Sequence, residues 1–370
     1  MLRPTPDARR PSAFIRSLLL LTLLGTVVTT TSAAEILGAH EGWLDRMGAG
    51  VRELGRGNTG TALADAAPAA YWNPALLPFH RRSNAAMGGE VRSLDRNGGY
   101  LSLQGPVASN LGAGLAVVNR GDMGVRAYDS DERFYDELRP QAFATWFAAG
   151  VRTSRRSALG AALQVYASSP GVGDGIGDVD FIGGLNLGWY RRHDSLNAAA
   201  LFPESWTGVR RVAGFFSGEF SSAVVVRNLG FNPRLSSEFE QSVTGEDVGF
   251  GTPVGRDFFP KTLVLAGEWR KRLWNRPWAF AGEVMNYQLD NSLFSADPGH
   301  HAQAARLGAE VEIAERTMLR AGLDRLNPTF GFGYTYRWSR ARLITFDYAL
   351  ILERGATTFN PYAAGVKTSF

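Results

Sequence analysis

Five histidines and no cysteine stand in a chain of 370 residues, which narrows the chemistry its side chains can perform. His40, His80, His193, His300 and His301 are the only imidazole bases, and none lies in a G-x-S-x-G, H-E-x-x-H or phosphate-loop pattern. The absence of cysteine removes thiol nucleophiles, thiolate zinc sites, disulfides and a lipidated N-terminal Cys. The pair His300 and His301 has no carboxylate or imidazole at the spacing of a closed metal site, so it reads as a solvated loop. In "GVGDGIGDVD", Asp174, Asp178 and Asp180 offer oxygen ligands for calcium, yet the full loop pattern and its bidentate Glu are missing. Its alternating glycines mimic a dinucleotide fingerprint without the βαβ unit that gives the fingerprint meaning. A flexible exposed loop is the better reading. No catalytic residue, metal site or cofactor is expected.

A second set of charges is more orderly. Arg306, Glu310 and Glu312, with Arg337 and Asp347 further on, alternate with apolar neighbours. In "RLGAEVEIAER", Leu307, Ala309, Val311 and Ile313 oppose Arg306, Gly308, Glu310 and Glu312. In "TFGFGYTYRW", Phe330, Phe332, Tyr334, Tyr336 and Trp338 oppose Thr329, Gly331, Gly333, Thr335 and Arg337. In "RLITFDYALIL", Ile344, Phe346, Tyr348, Leu350 and Leu352 oppose Thr345, Asp347 and Ala349. A period of two means strands with one apolar face and one small or charged face. The charges therefore share a face, where cross-strand ion pairs that hold an inserted segment are expected ahead of a substrate relay.

Such alternation suits a soluble sandwich, whose apolar face is buried, or a membrane barrel, whose apolar face meets lipid. Three features favour the barrel. The segments are long enough for a tilted crossing of a bilayer. Long connections at "ERGATTFN", "DNSLFSADPGHH", Leu229 to Asp257, "GVGDGIGDVD" and "GDMGVRAYDSDERFYDELR" are separated by short links such as "SRA", "KRLWNR", "RRHDS", "TSRRS" and "VASN", which puts the long loops on one side. The chain ends in "PYAAGVKTSF", where Tyr362, Ala364, Val366, Thr368 and Phe370 share a face opposite Lys367. An aromatic at the end of an alternating last strand resembles the assembly signal of outer-membrane barrels, so Phe370 is assigned that role and the barrel assembly machinery is an expected partner.

The leading residues agree. Arg9, Arg10 and Arg16 precede "LLLLTLLGTVV" and then Ser32, Ala33 and Ala34, which is the pattern of a secretory signal peptide over residues 1–34. Its removal takes four arginines and one aspartate from the totals of 39 basic and 35 acidic residues, leaving a nearly neutral body with no nucleic-acid footprint. Beyond the leader no apolar run is long enough for a transmembrane helix. The fold expected is an all-β, transmembrane antiparallel β-barrel over residues 84–370, in the outer membrane of a Gram-negative-type bacterium and in contact with its lipid and lipopolysaccharide. It has about 14 strands if Phe181 to Asn228 forms two long ones, and about 16 if Leu196 to Asn228 is cut into three short crossings.

Residues 35–83 do not alternate. "GVRELGRGNTGTALADAAPAAYWNPALLP" passes from glycines at 50, 55, 57 and 60 into a short Ala-rich stretch broken by Tyr71, Trp72, Asn73 and Pro74. Compact and rich in small residues, it suits the inside of a barrel, as an N-terminal luminal plug. The run Gly50, Leu54, Gly55, Gly57, Ala64, Asp65, Ala70, Tyr71, Trp72, Asn73, Pro74, Ala75 and Leu77 resembles the opening signature of the PorV and PorQ-like outer-membrane proteins, relatives of the FadL long-chain fatty acid transporters. Ala66 and Leu76 depart from it, where the family usually has an acidic residue and a glycine. "RNLG" at Arg227, "FPKTL" at Phe259, "RAGLD" at Arg320 and "FDYAL" at Phe346 resemble later family patterns in the same order. The resemblance implies a 14-strand barrel whose N-terminal segment folds into the lumen as a hatch, with Asp65, Tyr71, Trp72, Asn73, Pro74 and Ala75 forming its motif. It implies transport of hydrophobic or amphipathic molecules across the outer membrane. The alternatives are a component of a protein-secretion apparatus, a PorV-like cargo shuttle of type IX secretion, and an outer-membrane hydrolase whose acid and base meet only in space. A hydrophobic ligand or a secreted cargo is the partner that each of the first two readings requires.

Overall fold

The computed structural model describes residues 47–92, 96–122, 125–128, 134–138, 141–169, 180–196, 203–209, 217–229, 261–288, 301–339, 342–353 and 361–370. The leader, most of the long connections, and His40, Asp174, Asp178 and His300 lie outside the described residues.

Among them the chain forms β1 (Asn84–Val91), β2 (Arg96–Pro106), β3 (Leu111–Asp122), β4 (Val125–Tyr128), β5 (Phe134–Leu138), β6 (Gln141–Arg152), β7 (Ser157–Ser169) and β8 (Asp180–Leu196). After these come β9 (Gly218–Leu229), β10 (Lys261–Leu273), β11 (Arg276–Gln288), β12 (His301–Ala314), β13 (Thr317–Asp324), β14 (Asn327–Arg337), β15 (Leu343–Ile351) and β16 (Tyr362–Ser369). Fourteen strands close into one antiparallel barrel in which β1 pairs with β16, and β4 and β5 form a separate hairpin between β3 and β6. Closure gives every wall strand a partner on both sides, so no row of unpaired N–H and C=O groups faces lipid. The alternation then decides which side chains meet the bilayer. Phe330, Phe332, Tyr334 and Tyr336 are 43–50% exposed on the outer face, whereas Thr329, just before them on the other face, is 1% exposed and faces the lumen. This is an outer-membrane β-barrel.

The count of 14 corrects the 16-strand alternative, and the reason lies in β8. "RRHDS" is not a turn. Arg191, Arg192 and His193 continue β8 to Leu196 and pair with Ser222, Ser221 and Phe220 of β9. The His193 ring lies 5.4 Å from that of Phe220 and 2.8 Å from Ser222 Oγ. Charges at the end of a strand reach water at the rim, so they do not end the ladder. The chain then takes residues 197–217 to return as β9, which makes this the one long link on the otherwise short-turn side. That side also holds both ends of the wall, where Phe370 N–H donates to Ser83 O at 3.0 Å, and it faces the periplasm. The β4–β5 hairpin is a second departure, since its stretch read as plain loop.

The segment before β1 lies inside the barrel, because its parts touch opposite walls. Helix α1 (Val51–Gly55) packs on β13 to β16, while α2 (Ala69–Trp72) and a 3-10 turn (Pro74–Phe79) pack on β2, β3 and β6, the turn reaching β7 and β8 as well. Tyr71 and Trp72 belong to α2 and do not break it; the helix ends at Asn73, whose backbone is already extended.

Candidate functional site: the plug and its seat

The plug is held by a close backbone fit on one wall and by charge on the other. Gly112, Gly150, Gly160 and Gly188 are register partners across β3, β6, β7 and β8, forming a glycine row on the lumen face. A Cβ on Gly160 would collide with the backbone of Pro74 and Ala75, one on Gly150 with the carbonyl of Pro74, and one on Gly188 with the amide of Asn73. The row is absent from the sequence-derived site. Its signal was nevertheless present, because these glycines fall on the small-residue face of "LGAGLAV", "FAAGVR", "SALGAA" and "LGWY". Only the register shows that they line up.

Asn73 organises the turn seated there. It is fully buried; its Oδ1 accepts from Ala75 N–H at 2.9 Å, and its Nδ2 donates to the carbonyls of Thr61 at 3.1 Å and Trp189 at 3.3 Å. Pro74 follows as the first residue of the 3-10 turn, where its missing N–H costs nothing and its fixed φ suits the geometry. Trp72, also fully buried, donates from Nε1 to Ala49 O at 2.8 Å, and Arg227 and Arg306 stand over its ring at 5.8 and 5.9 Å. Tyr71 meets Trp72 and Trp146 edge-on with centroids 5.0 and 4.9 Å apart. Ala75 packs without exposed surface against the glycine row.

The opposite wall supplies ions. Arg52 of α1 donates from Nε and Nη2 to both oxygens of Glu310, at 2.9 and 2.7 Å, and from Nη1 to Asp65 at 2.9 Å. Glu310 also accepts from Arg320, which continues to Asp347 at 2.7 Å. Arg306 pairs with Asp324 at 2.8 Å, whose other oxygen accepts from Asn58 of the plug at 2.9 Å. Arg56 pairs with Glu268 at 2.9 Å, the two side chains being 0% and 2% exposed. Glu283 accepts the backbone N–H groups of Gly60 and Thr61 at 2.8 and 2.7 Å. Of the charges singled out from sequence, Arg306, Glu310 and Asp347 thus join this network. Glu312 and Arg337 do not: Glu312 accepts from the backbone of Arg316 in the β12–β13 turn, and Arg337 is exposed at the end of β14. Arg52, Arg56, Glu268 and Glu283 went unnoticed because their partners are distant in sequence.

Asp65 is the meeting point. Besides Arg52, it receives Arg270 of β10 at 3.2 Å, and its carbonyl accepts from Lys367 of β16 at 3.0 Å. Burial opposes its charge, but Arg52, Arg270 and Lys367 hold the carboxyl well below the usual range. Although it lies deep among protein atoms, its side chain is 54% exposed, because it borders a cavity of about 550 Å³. Arg52, Arg270, Glu310 and Glu312 also line that cavity, which opens toward the short-turn rim. Pro277, Trp278, Ala279 and Met318 add to its lining, so paired charges and apolar side chains share it. Among the described residues no group of three or more His, Asp or Glu side chains is placed to hold a metal ion.

His80 closes the plug segment. Ala69 N–H donates to Gln104 Oε1 at 2.8 Å, which fixes that amide and aims its Nε2 at Ala66 O at 2.7 Å and at His80 Nε2 at 3.1 Å. His80 Nε2 therefore accepts and Nδ1 carries the proton. Asn84 Oδ1 has no partner, and turning that amide over lets it accept from Nδ1, which now faces Asn84 Nδ2 at 3.3 Å. Burial, helped by Lys367, pushes the imidazolium down from 6.5 to about 4. Because the folded value lies below the unfolded one, the neutral ring's contribution is complete above about pH 6.5 and is lost as pH falls toward about 4, amounting to at most ~3 kcal/mol. Protease cleavage of the plug should accordingly increase between neutral pH and pH of about 4. In His80→Gln the rise should be much flatter.

No family model matches the chain, and no curated protein matches it in sequence. Solved structures do match in shape. The toluene transporter TodX of Pseudomonas putida superposes with a TM-score of 0.56 at 12% identity, over 87% of this chain and 98% of that one. The chain has the TodX fold. The Ralstonia pickettii toluene transporter TbuX gives a TM-score of 0.52 at 11% identity, over 88% and 99% of the two chains. The monoaromatic hydrocarbon channel CymD gives 0.50 at 13% identity, over 90% and 97%.

Proposed function

We propose that the protein carries small hydrophobic or amphipathic molecules across the outer membrane, with the plug as its gate. The observation that supports this is a plug packed inside a TodX-fold barrel and joined to the wall by ion pairs, which a purely structural barrel has no need to hold. TodX, TbuX and CymD are transporters or channels for toluene and monoaromatic hydrocarbons, so an apolar small molecule is the first substrate class to test. The ion pairs of Asp65 with Arg52 and Arg270 tie the plug to the wall beside the cavity, and the gate must shift to open a path past them. The test is uptake of a radiolabelled monoaromatic or an amphipathic fluorescent probe by cells with and without the protein. Uptake that rises with the protein supports the reading; equal uptake of every apolar and amphipathic probe sinks it.

The finer likeness to PorV-like proteins rests on the run from Gly50 to Leu77. On that second reading the barrel escorts secreted proteins, and deleting its gene changes the set of secreted proteins while leaving probe uptake untouched.

A further inference from the structure

We propose that the periplasmic rim of the barrel binds anionic phospholipid headgroups of the leaflet that faces the periplasm. Two of its turns are built alike. Between β10 and β11, Trp274 is 78% exposed and stands between the exposed Arg272 and Arg276; after β14, Trp338 is 67% exposed and stands between the exposed Arg337 and Arg342.

Both indoles belong to the outer, lipid-facing surface. Trp338 continues the outward series that ends at Tyr336. Trp274, with φ of 50° in a two-residue turn completed by Asn275 at 58°, meets Trp278 edge-on at 5.8 Å. Trp278 stacks on Phe280 at 5.6 Å, and Phe280 on Trp269 at 5.3 Å. Phe220, Trp269 and Phe280 are register partners across β9, β10 and β11, so the rings form a belt around this part of the wall. Indoles in such a belt sit where hydrocarbon gives way to headgroups. By strand parity Arg276 and Arg342 share that outward face and are at phosphate height, whereas Arg272, which lines the luminal cavity, and Arg337 lie on the inner face; a guanidinium grips phosphate through paired N–H donors.

The sign holds around the rim. Arg81 with Arg82, Arg155 with Arg156 and Arg191 with Arg192 are adjacent exposed pairs. Against them, the exposed carboxylates of the described rim are Glu204, Glu219 and Glu315. In a body that is nearly neutral beyond the leader, arginines thus outnumber the exposed carboxylates at this rim. An acidic periplasmic protein is the other candidate occupant of a basic rim, but such a partner approaches from below and does not explain indoles on the side wall.

The experiment uses the full-length mature protein, refolded into phosphatidylcholine vesicles with or without phosphatidylglycerol. Lipids retained after gentle detergent extraction are counted by native mass spectrometry. Wild type should retain phosphatidylglycerol in preference to phosphatidylcholine, and the preference should fall by about tenfold or more in the R276Q/R342Q variant. Heat-modifiability in pure phosphatidylcholine shows whether that variant is folded. A wild-type salt titration provides a measurement that needs no variant, since high salt should erase the preference. Equal retention of the two lipids by wild type, a preference that survives high salt, or a folded variant that keeps it would overturn the proposal. Stronger capture of soluble polyglutamate than of phosphatidylglycerol vesicles would overturn it in favour of an acidic protein partner. The outcome is independent of what the barrel carries.

Discussion

Replacing Asn73 and Pro74 together with alanine is expected to leave the barrel assembled and to open it. The substitution strips partners from two buried backbone groups, the carbonyl of Thr61 and the N–H of Ala75, and removes a third, part-buried bond to the carbonyl of Trp189. A buried polar group left unpaired costs about 1–3 kcal/mol, so the seated plug loses roughly 3 kcal/mol or more relative to a displaced one. Removing Pro74 adds backbone freedom to the displaced state, about 0.4–1 kcal/mol more. The wall keeps its own ladder of hydrogen bonds, β1 to β16 included, and so survives. Planar-bilayer recordings should show the open fraction raised about 100-fold, with the heat-modifiable band unchanged. Conductance equal to that of the parent would mean that the turn is packing without a gating role.

Glu268→Ala should unseat the plug from the other side. It leaves the Arg56 guanidinium fully buried without its carboxylate, and Arg56 Nε and Nη1 already have no hydrogen-bond partner. Breaking a buried pair at one end costs about 3–5 kcal/mol, mostly from the stranded charge. That cost also distinguishes two explanations. If the stranded charge is the cause, Arg56→Met with Glu268→Leu restores protease resistance to the plug, because a well-packed apolar pair of similar volume is roughly neutral. If the double variant is as labile as the single one, the pair is needed for its hydrogen bonds and the electrostatic account fails. Limited proteolysis of the plug in folded barrels measures both variants on one scale.

Much of the wall was legible because its physics is local. A strand places successive side chains on opposite faces, so "TFGFGYTYRW" alone told which residues meet lipid, and the parity of the long connections told which mouth is which. The limit was at "RRHDS", where charges look like a turn and only pairing with β9 shows that the strand continues. In the plug, the Tyr-Trp-Asn-Pro-Ala run stood out by composition, and the conformational limits of Pro74 foretold an extended Asn73. The partners of that run did not stand out. Asn73 bonds to Trp189, Arg56 to Glu268 and Arg52 to Glu310, at separations of 116, 212 and 258 residues, and no local pattern connects them.

The sequence by itself thus determined the all-β class, the apolar outer face, the side on which the long loops lie and the one segment unsuited to the wall, since each follows from periodicity and composition along the chain. Tertiary structure alone decided the closure at 14 strands, the alignment of Gly112, Gly150, Gly160 and Gly188 into a seat, and the convergence of Arg52, Arg270 and Lys367 on Asp65. These depend on register and on closure of the ring, which place residues from opposite walls around one luminal segment. A one-residue slip in any strand would turn its glycine or its charge outward to lipid.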